Sequence, residues 1–271
     1  MANSQKLKIG IIGAAGRMGL ALVRAISQAD DMTLVMAIGN QSGVGQDIGK
    51  LAGLEFMNLP LSTNLKEGIA ESKPDVIVEL SHVASVFDNT KLSLEAGIHT
   101  VIGATGISPE QQDELDKLAK ANNTGALIVP NFSIGAVLMM KYAQDAAQYY
   151  QHAEIIERHH EKKLDSPSGT AIRTAKMMAQ KNQNFGKDLP QNQKQLLPGA
   201  RGANGAGNIP IHSMRLPGSL AHQQVIFGAL GETLTIQHDT IDRQAFMGGI
   251  LLCIRKIKTI SGITVGLETL L

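Results

Sequence analysis

Two stretches of the chain concentrate residues able to do chemistry. The denser one reads Glu157-Arg158-His159-His160-Glu161-Lys162-Lys163-Leu164-Asp165-Ser166-Pro167-Ser168-Gly169-Thr170-Ala171. Two histidines and two lysines lead into a Pro-Ser-Gly-Thr turn and then a helix. Ser168, Gly169 and Thr170 offer backbone amides, two hydroxyls and the positive end of a helix dipole, together a ready anion site. Lys163 and a histidine add positive charge beside it, which suits a small substrate carrying carboxylates. A lysine or histidine here is also able to deliver a proton. Plainer roles compete with these: Ser168 as a helix cap, Lys162 and Lys163 as a solvated run, the His pair as surface or core residues. A metal centre at His159, His160 and Glu161 fits poorly, because adjacent strand residues face opposite sides, and no metal is expected. Ser168 lacks the GxSxG elbow of a serine hydrolase.

The other stretch is Lys8-Ile9-Gly10-Ile11-Ile12-Gly13-Ala14-Ala15-Gly16-Arg17-Met18-Gly19. An apolar strand runs into glycines at 13, 16 and 19 and then into a helix. Gly13 permits a tight turn, Gly16 lets backbone approach a pyrophosphate, and Gly19 permits close packing of helix on strand. The spacing is GxxGxxG rather than GxGxxG. The flanking strand and helix favour a dinucleotide site over a ligand-free glycine turn. The next strand ends Met36-Ala37-Ile38-Gly39-Asn40-Gln41. No carboxylate stands there to hold a ribose 2′-hydroxyl or repel a 2′-phosphate, and Arg17 is a candidate neighbour, so NADPH is expected to be accepted, alone or with NADH. Gly103-Ala104-Thr105-Gly106 follows a later strand, where such sheets bind ligands and where ordinary turns also occur. Asn131-Phe132-Ser133 follows another strand end and is a candidate hinge close to the nicotinamide.

The elements that position these residues follow from hydrophobic patterning. Strands are expected at Leu7–Ile12, Thr33–Ile38, Asp75–Leu80, His99–Ile102 and Ala126–Val129. Helices are expected at Arg17–Gln28, Val83–Ala96 and Pro109–Asn122, the last capped by Ser108. Strands alternating with helices of this length give a parallel, doubly wound sheet of Rossmann type. After Pro130 the pattern changes. A helix over Ile134–Tyr150, a strand over Ala153–Glu157, a helix over Thr170–Lys181 and a long polar loop over Asn182–Asn208 come first. Strands at Ile211–Leu216, Gln224–Phe227 and Thr233–His238 follow, and a final helix at Phe246–Ile257. This α+β region reads as a second domain. The expected division is a dinucleotide-binding domain over 1–130, with the tail 241–271 returning to it, and a substrate domain over 131–240. Bending near Pro130-Asn131 and Thr240 would bring hydride donor and substrate together.

Bulk properties narrow the class. In 271 residues, 25 Lys plus Arg face 24 Asp plus Glu, a net charge of +1. Neither a dedicated nucleic-acid binder nor an anionic-membrane binder is expected from that balance. Aromatic residues are 3% with no tryptophan, which argues against a base-stacking surface. The lone Cys253 excludes a CxxC motif, and its apolar surroundings read as buried and inert. No apolar run reaches the roughly 18 residues of a membrane span, and the polar start does not read as a signal peptide, so a cytoplasmic protein is expected.

Taken together, the glycine turn at 13–19, Gly103-Ala104-Thr105-Gly106, Asn131-Phe132-Ser133-Ile134-Gly135, the run from Glu157 to Ala171 and Arg215-Leu216-Pro217-Gly218 with Ala221-His222-Gln223 resemble the 4-hydroxy-tetrahydrodipicolinate reductase family, also called dihydrodipicolinate reductase. The resemblance covers nearly the whole chain. It implies an N-terminal Rossmann domain, a C-terminal domain on a mixed, mainly open sheet, and a homotetramer associated through that sheet. It implies NADPH- or NADH-dependent reduction of hydroxy-tetrahydrodipicolinate, a dicarboxylate, to tetrahydrodipicolinate with loss of water, in diaminopimelate and lysine biosynthesis. His159 and Lys163 match the family's acid/base positions. His160, Lys163, Ser168, Gly169 and Thr170 match its substrate positions, with Thr105 added. The implied cofactor set is Gly13, Ala14, Ala15, Gly16, Arg17, Met18, Gly39, Asn40, Ser81, Gly103, Ala104, Thr105, Pro130, Asn131 and Phe132. Two departures stand out. Gly39 and Asn40 occupy the place where members often carry an acidic then a basic residue, and Glu79-Leu80-Ser81 replaces a common Asp-Phe-Thr. Another nicotinamide oxidoreductase, of aspartate or homoserine type, would explain the glycine turn but not the His-His-Lys-Ser-Gly-Thr run. A non-catalytic dinucleotide sensor would more naturally carry a nucleic-acid or partner module.

Overall fold

The computed structural model describes residues 6–104, 106–188 and 194–271. The chain divides into two units, Met1–Phe132 with Arg243–Leu271, and Ser133–Asp242.

In the first unit, short aliphatic runs form strands buried on both faces, as a parallel sheet covered by helices requires. The strands are β1 (Leu7–Ile12), β2 (Met32–Ile38), β3 (Val76–Glu79), β4 (His99–Ile102), β5 (Gly125–Ile128) and β11 (Gly262–Val265). They lie in the order β11-β5-β4-β3-β1-β2, every neighbouring pair parallel. The order reverses at β1, between β2 and β3, and a crevice opens at the carboxyl ends of such strands. The helices are α1 (Arg17–Ser27), α2 (Ile48–Leu51), α3 (Leu65–Ser72), α4 (Val86–Glu95), α5 (Pro109–Ala121) and α8 (Met247–Lys256). Ser108 caps α5 in a full capping box with Gln111. Burial pushes the Cys253 thiol in α8 up to about 12, so it stays protonated. Among the described residues, no helix is long and apolar enough to cross a membrane.

The second unit is a mixed sheet in the order β10-β9-β6-β8-β7. Its strands are β6 (His152–His159), β7 (Ala203–Asn204), β8 (Pro210–Arg215), β9 (Ala221–Ala229) and β10 (Glu232–Thr240). Helices α6 (Ile134–Ala146) and α7 (Gly169–Lys181) complete it. They close over an apolar cluster that includes Ala143, Ile155, Ala175, Met178, Phe185 and Phe227.

Several elements differ from the patterning. Helix α6 ends at Ala146 rather than Tyr150, because Tyr150 turns its ring onto Phe227 and gives its carbonyl to the Asn182 side chain. Strand β6 runs on to His159, because β8 and β9 hydrogen-bond it on both sides along that length. Helix α4 starts at Val86 rather than Val83, since the Ser85 amide and hydroxyl both fold back to the His82 carbonyl. The polar loop after α7 includes the short β7, and residues 189–193 of it lie outside the described residues.

Candidate functional site

The glycine turn between β1 and α1 has the geometry of a backbone cradle. Gly13 adopts φ +82, and a Cβ there would sit 2.6 Å from the Leu80 carbonyl oxygen. A Cβ on Gly19 would sit 2.3 Å from the Gly13 carbonyl oxygen, so helix and turn touch backbone to backbone. No side chain caps α1 at Gly16, and its first turn carries no acidic residue. The amide end of the helix therefore keeps its positive potential for an anion.

Beside this turn lies a cavity of about 610 Å³ at the carboxyl ends of β1, β2 and β3. Of the expected cofactor residues, Gly13, Ala15, Gly16, Gly39, Asn40 and Ser81 line it. Ser42, Thr63, His82, Ser85 and Asn89 line it as well and were not anticipated. Their signal in the sequence was only a scatter of small polar residues after strand ends. No carboxylate is among its lining residues. Gly39 is pinned by Leu61, whose Cδ1 would lie 3.0 Å from an added Cβ. Beneath the cavity Glu79 is fully buried, its Oε1 accepting the Ser81 amide at 2.6 Å, and burial raises its pKa above the ordinary carboxylate value despite Ser81 and Asn89. The Ser81 hydroxyl in turn meets Ser85 Oγ at 2.9 Å and Asn89 Nδ2 at 3.3 Å. A glycine-rich turn at an uncapped helix N-terminus, opening on a cavity whose lining carries no acidic side chain, fits a dinucleotide.

The other expected cofactor residues are placed elsewhere. Ala14 is buried, Arg17 and Pro130 are exposed, and Met18, Ala104 and Asn131 are half-buried; none of these lines the cavity. Gly103 and Phe132 belong together, since a Cβ on Gly103 would come within 2.5 Å of the buried Phe132 ring. Thr105 lies outside the described residues.

In the second unit the charged run folds into one network. Strand alternation on β6 sets Ala153, Ile155, Glu157 and His159 on the same face. Glu157 is fully buried, an isolated charge that the apolar row could not hold unpaired. Arg215, at the end of β8, meets it with both ends of its fork, Nη1 to Oε2 and Nη2 to Oε1, each at 2.9 Å. Arg215 thus neutralises a buried carboxylate of its own chain. Burial opposes charge on Glu157, but Arg215, Ser213 and His159 outweigh it and hold the carboxyl below its ordinary range.

His159 Nδ1 lies 2.6 Å from Glu157 Oε2. A carboxylate only accepts, so Nδ1 carries the hydrogen and Nε2 is left for proton exchange. Burial lowers the His159 pKa below 6.5; Glu157 works against that, while Lys163 and Arg215 add to it. The turn after β6, closed by the Lys163 amide on the His160 carbonyl, brings Lys163 back beside this histidine. Lys163 Nζ donates to both oxygens of Asp165, at 2.7 and 2.8 Å. His160 is half-buried at the strand end.

The Ser168 hydroxyl caps α7 by accepting the Ala171 amide, and the Ser168 amide donates to Glu157 Oε1 at 3.1 Å. Ser168 is 3% exposed, so what it turns outward is the helix start rather than its side chain. Gly169 is exposed, with nothing within 4 Å of where a Cβ would be. Sequence reasoning quoted Glu157 but gave it no role; the period-two alternation that puts it on the face of His159 was the available signal. Arg201, elsewhere in this unit, pairs with Glu154.

Comparison with known proteins converges on one family. Residues 7–132 match "Dihydrodipicolinate reductase, N-terminus" and residues 135–271 match "Dihydrodipicolinate reductase, C-terminus". The chain is 45% identical to a 4-hydroxy-tetrahydrodipicolinate reductase of Moorella thermoacetica over 98% of both chains. It is 43% identical to one of Synechococcus elongatus, also over 98% of both. Among solved structures, a dipicolinate-bound dihydrodipicolinate reductase from Paenisporosarcina sp. TG-14 superposes with TM-score 0.86 at 39% identity, covering 98% of this chain and 100% of that one. An amine dehydrogenase of Mycobacterium smegmatis, at 13% identity and TM-score 0.65 over 97% of this chain and 95% of that one, shares the fold alone. With both halves matched and full-length relatives above 40% identity, the chain belongs to the dihydrodipicolinate reductase family.

Proposed function

We propose that this chain is an NADPH- or NADH-dependent 4-hydroxy-tetrahydrodipicolinate reductase, making tetrahydrodipicolinate for diaminopimelate and lysine biosynthesis. The observation that carries the reading is the convergence of His159, Lys163 and the open start of α7 in one unit, in a chain whose other unit holds a dinucleotide cradle. When bound, the dinucleotide supplies a hydride. Replacing the ring hydroxyl by hydrogen and releasing it as water then needs one proton. His159 holds that proton on Nε2 in its imidazolium form, with Nδ1 fixed by Glu157. Lys163 exchanges Asp165 for a substrate carboxylate, and the first turn of α7 at Gly169 and Thr170 receives the second carboxylate.

Gly13, Ala15, Gly16 and Ser81 hold the dinucleotide through backbone and hydroxyl groups. Asn40 and Ser42, neutral hydrogen-bonding groups, accept either a 2′-hydroxyl or a 2′-phosphate. Gly103 backs the cavity by lying close against Leu80 of its wall and against Phe132. The same reading makes the protein a cytoplasmic homotetramer, which light scattering on the purified protein tests.

The activity test follows cofactor oxidation by absorbance, with substrate made freshly by a coupled synthase. NADPH oxidation that depends on the synthase product supports the proposal. A large preference for NADH would contradict the reading of Gly39-Asn40.

A further inference from the structure

Glu157 takes four contacts from three residues. Its Oε1 accepts the Ser168 amide at 3.1 Å and Arg215 Nη2 at 2.9 Å; its Oε2 accepts Arg215 Nη1 at 2.9 Å and faces His159 Nδ1 at 2.6 Å. The Arg215 guanidinium also donates to the carbonyls of Asp165 and Met214, each at 2.7 Å. One carboxylate and one guanidinium thus tie together the ends of β6 and β8, the loop before α7 and the α7 cap. A fully buried carboxylate gains nothing for folding that an apolar side chain in the same row would not give more cheaply. Its geometry instead matches the two tasks of the site.

We infer that Glu157 is a positioning residue that couples the acid–base group to the anion cradle. One oxygen holds His159 in the tautomer that exposes Nε2, and the other holds the amide of Ser168 so that the α7 start keeps its place beside it. This rests on the reading of His159 as proton donor and of α7 as a carboxylate site. The charged groups around His159 are Glu157 on its own strand, Lys163 on the following turn, Arg215 from β8, and Asp165, which is bound to Lys163 and Arg215. Among the direct neighbours, Glu157 alone favours the imidazolium, while Lys163 and Arg215 oppose it. Without charge at 157, His159 faces two cations; a glutamine there has one acceptor oxygen, which the Ser168 amide and Arg215 Nη2 claim, so its amide nitrogen turns to Nδ1.

The test is nitrogen NMR of the full-length protein with labelled histidine, together with steady-state kinetics. In the wild type, the neutral His159 ring is expected to carry its hydrogen on Nδ1. In Glu157→Gln the hydrogen should move toward Nε2 and the histidine should titrate at lower pH. There kcat should fall by about 10- to 100-fold, and KM for the dicarboxylate should rise, with dinucleotide affinity unchanged. If that variant fails to fold, Glu157→Asp, which keeps the charge but withdraws it by one methylene, is read by the tautomer and KM. A wild-type ring with its hydrogen on Nε2 overturns the inference without any variant. So does a folded Glu157→Gln protein with unchanged tautomer, titration and KM. Full turnover in His159→Ala would instead remove the acid–base reading itself, so the two failures are told apart.

Discussion

Helices α1 and α7 both offer an amide end to an anion, and neither has an acidic residue in its first turn. They are built by opposite means. At α1 the cradle depends on missing atoms: Gly13 at φ +82, Gly19 against carbonyl oxygens, and no capping side chain. At α7 it depends on charges held in place: a serine cap whose amide is gripped by buried Glu157, itself gripped by Arg215. The first should therefore fail most through steric change. The second should fail through charge change at constant shape. A diphosphate that only has to be held can be bound by backbone alone, whereas a ring that must also receive a proton needs a titratable group with fixed orientation.

The largest effect expected at the first region is that of Gly13→Ala. It places a Cβ against the Leu80 carbonyl in a left-handed backbone conformation, and dinucleotide affinity measured by calorimetry should drop at least ~100-fold, about 3 kcal/mol. Gly45→Ala is the control, since φ is +81 there but nothing lies within 4 Å; it should cost only about 1 kcal/mol of stability in a melting experiment. At the second region, Lys163→Ala should lower kcat/KM for the dicarboxylate by about 10³-fold with dinucleotide affinity intact. Loss of dinucleotide binding in that variant would erase the contrast between the regions.

A smaller effect concerns pH. Because His159 titrates below 6.5 and acts as the acid, kcat/KM should fall as pH rises through that lowered value. His159→Asn should slow turnover by about 10²-fold and abolish this limb. A wild-type profile that rises over the same range would reverse the assigned role. The smallest change is Asn40→Asp, which adds a carboxylate to a cavity wall that has none. It should weaken NADPH by about tenfold and leave NADH nearly unchanged, as read by separate titrations.

The same contrast explains what could be read from sequence. The β1 turn was legible because glycines at fixed steps after an apolar strand are a local pattern, and local backbone geometry follows from them. The parallel sheet was legible for the same reason, from aliphatic runs spaced by helices. Strand β11 was not, because Gly262–Val265 is four residues with no alternation and exists by docking along β5. Helix α3 was missed although Asn64 caps it by accepting the Glu67 amide, a signal too short to stand out. In the second region, the histidines, Lys163 and the Ser-Gly-Thr turn were visible as residue types. Their organisation was not, because Arg215 reaches Glu157 across 58 positions of sequence. Only the pairing of β6 with β8 brings that arginine to the carboxylate.

The most direct measurement uses dinucleotide carrying deuterium at both C4 positions of the nicotinamide, substrate supplied by a coupled synthase, and mass spectrometry of the product. The tetrahydrodipicolinate formed should carry one deuterium. Unlabelled product, or no product from protein shown to bind the dinucleotide, would contradict the proposed reduction.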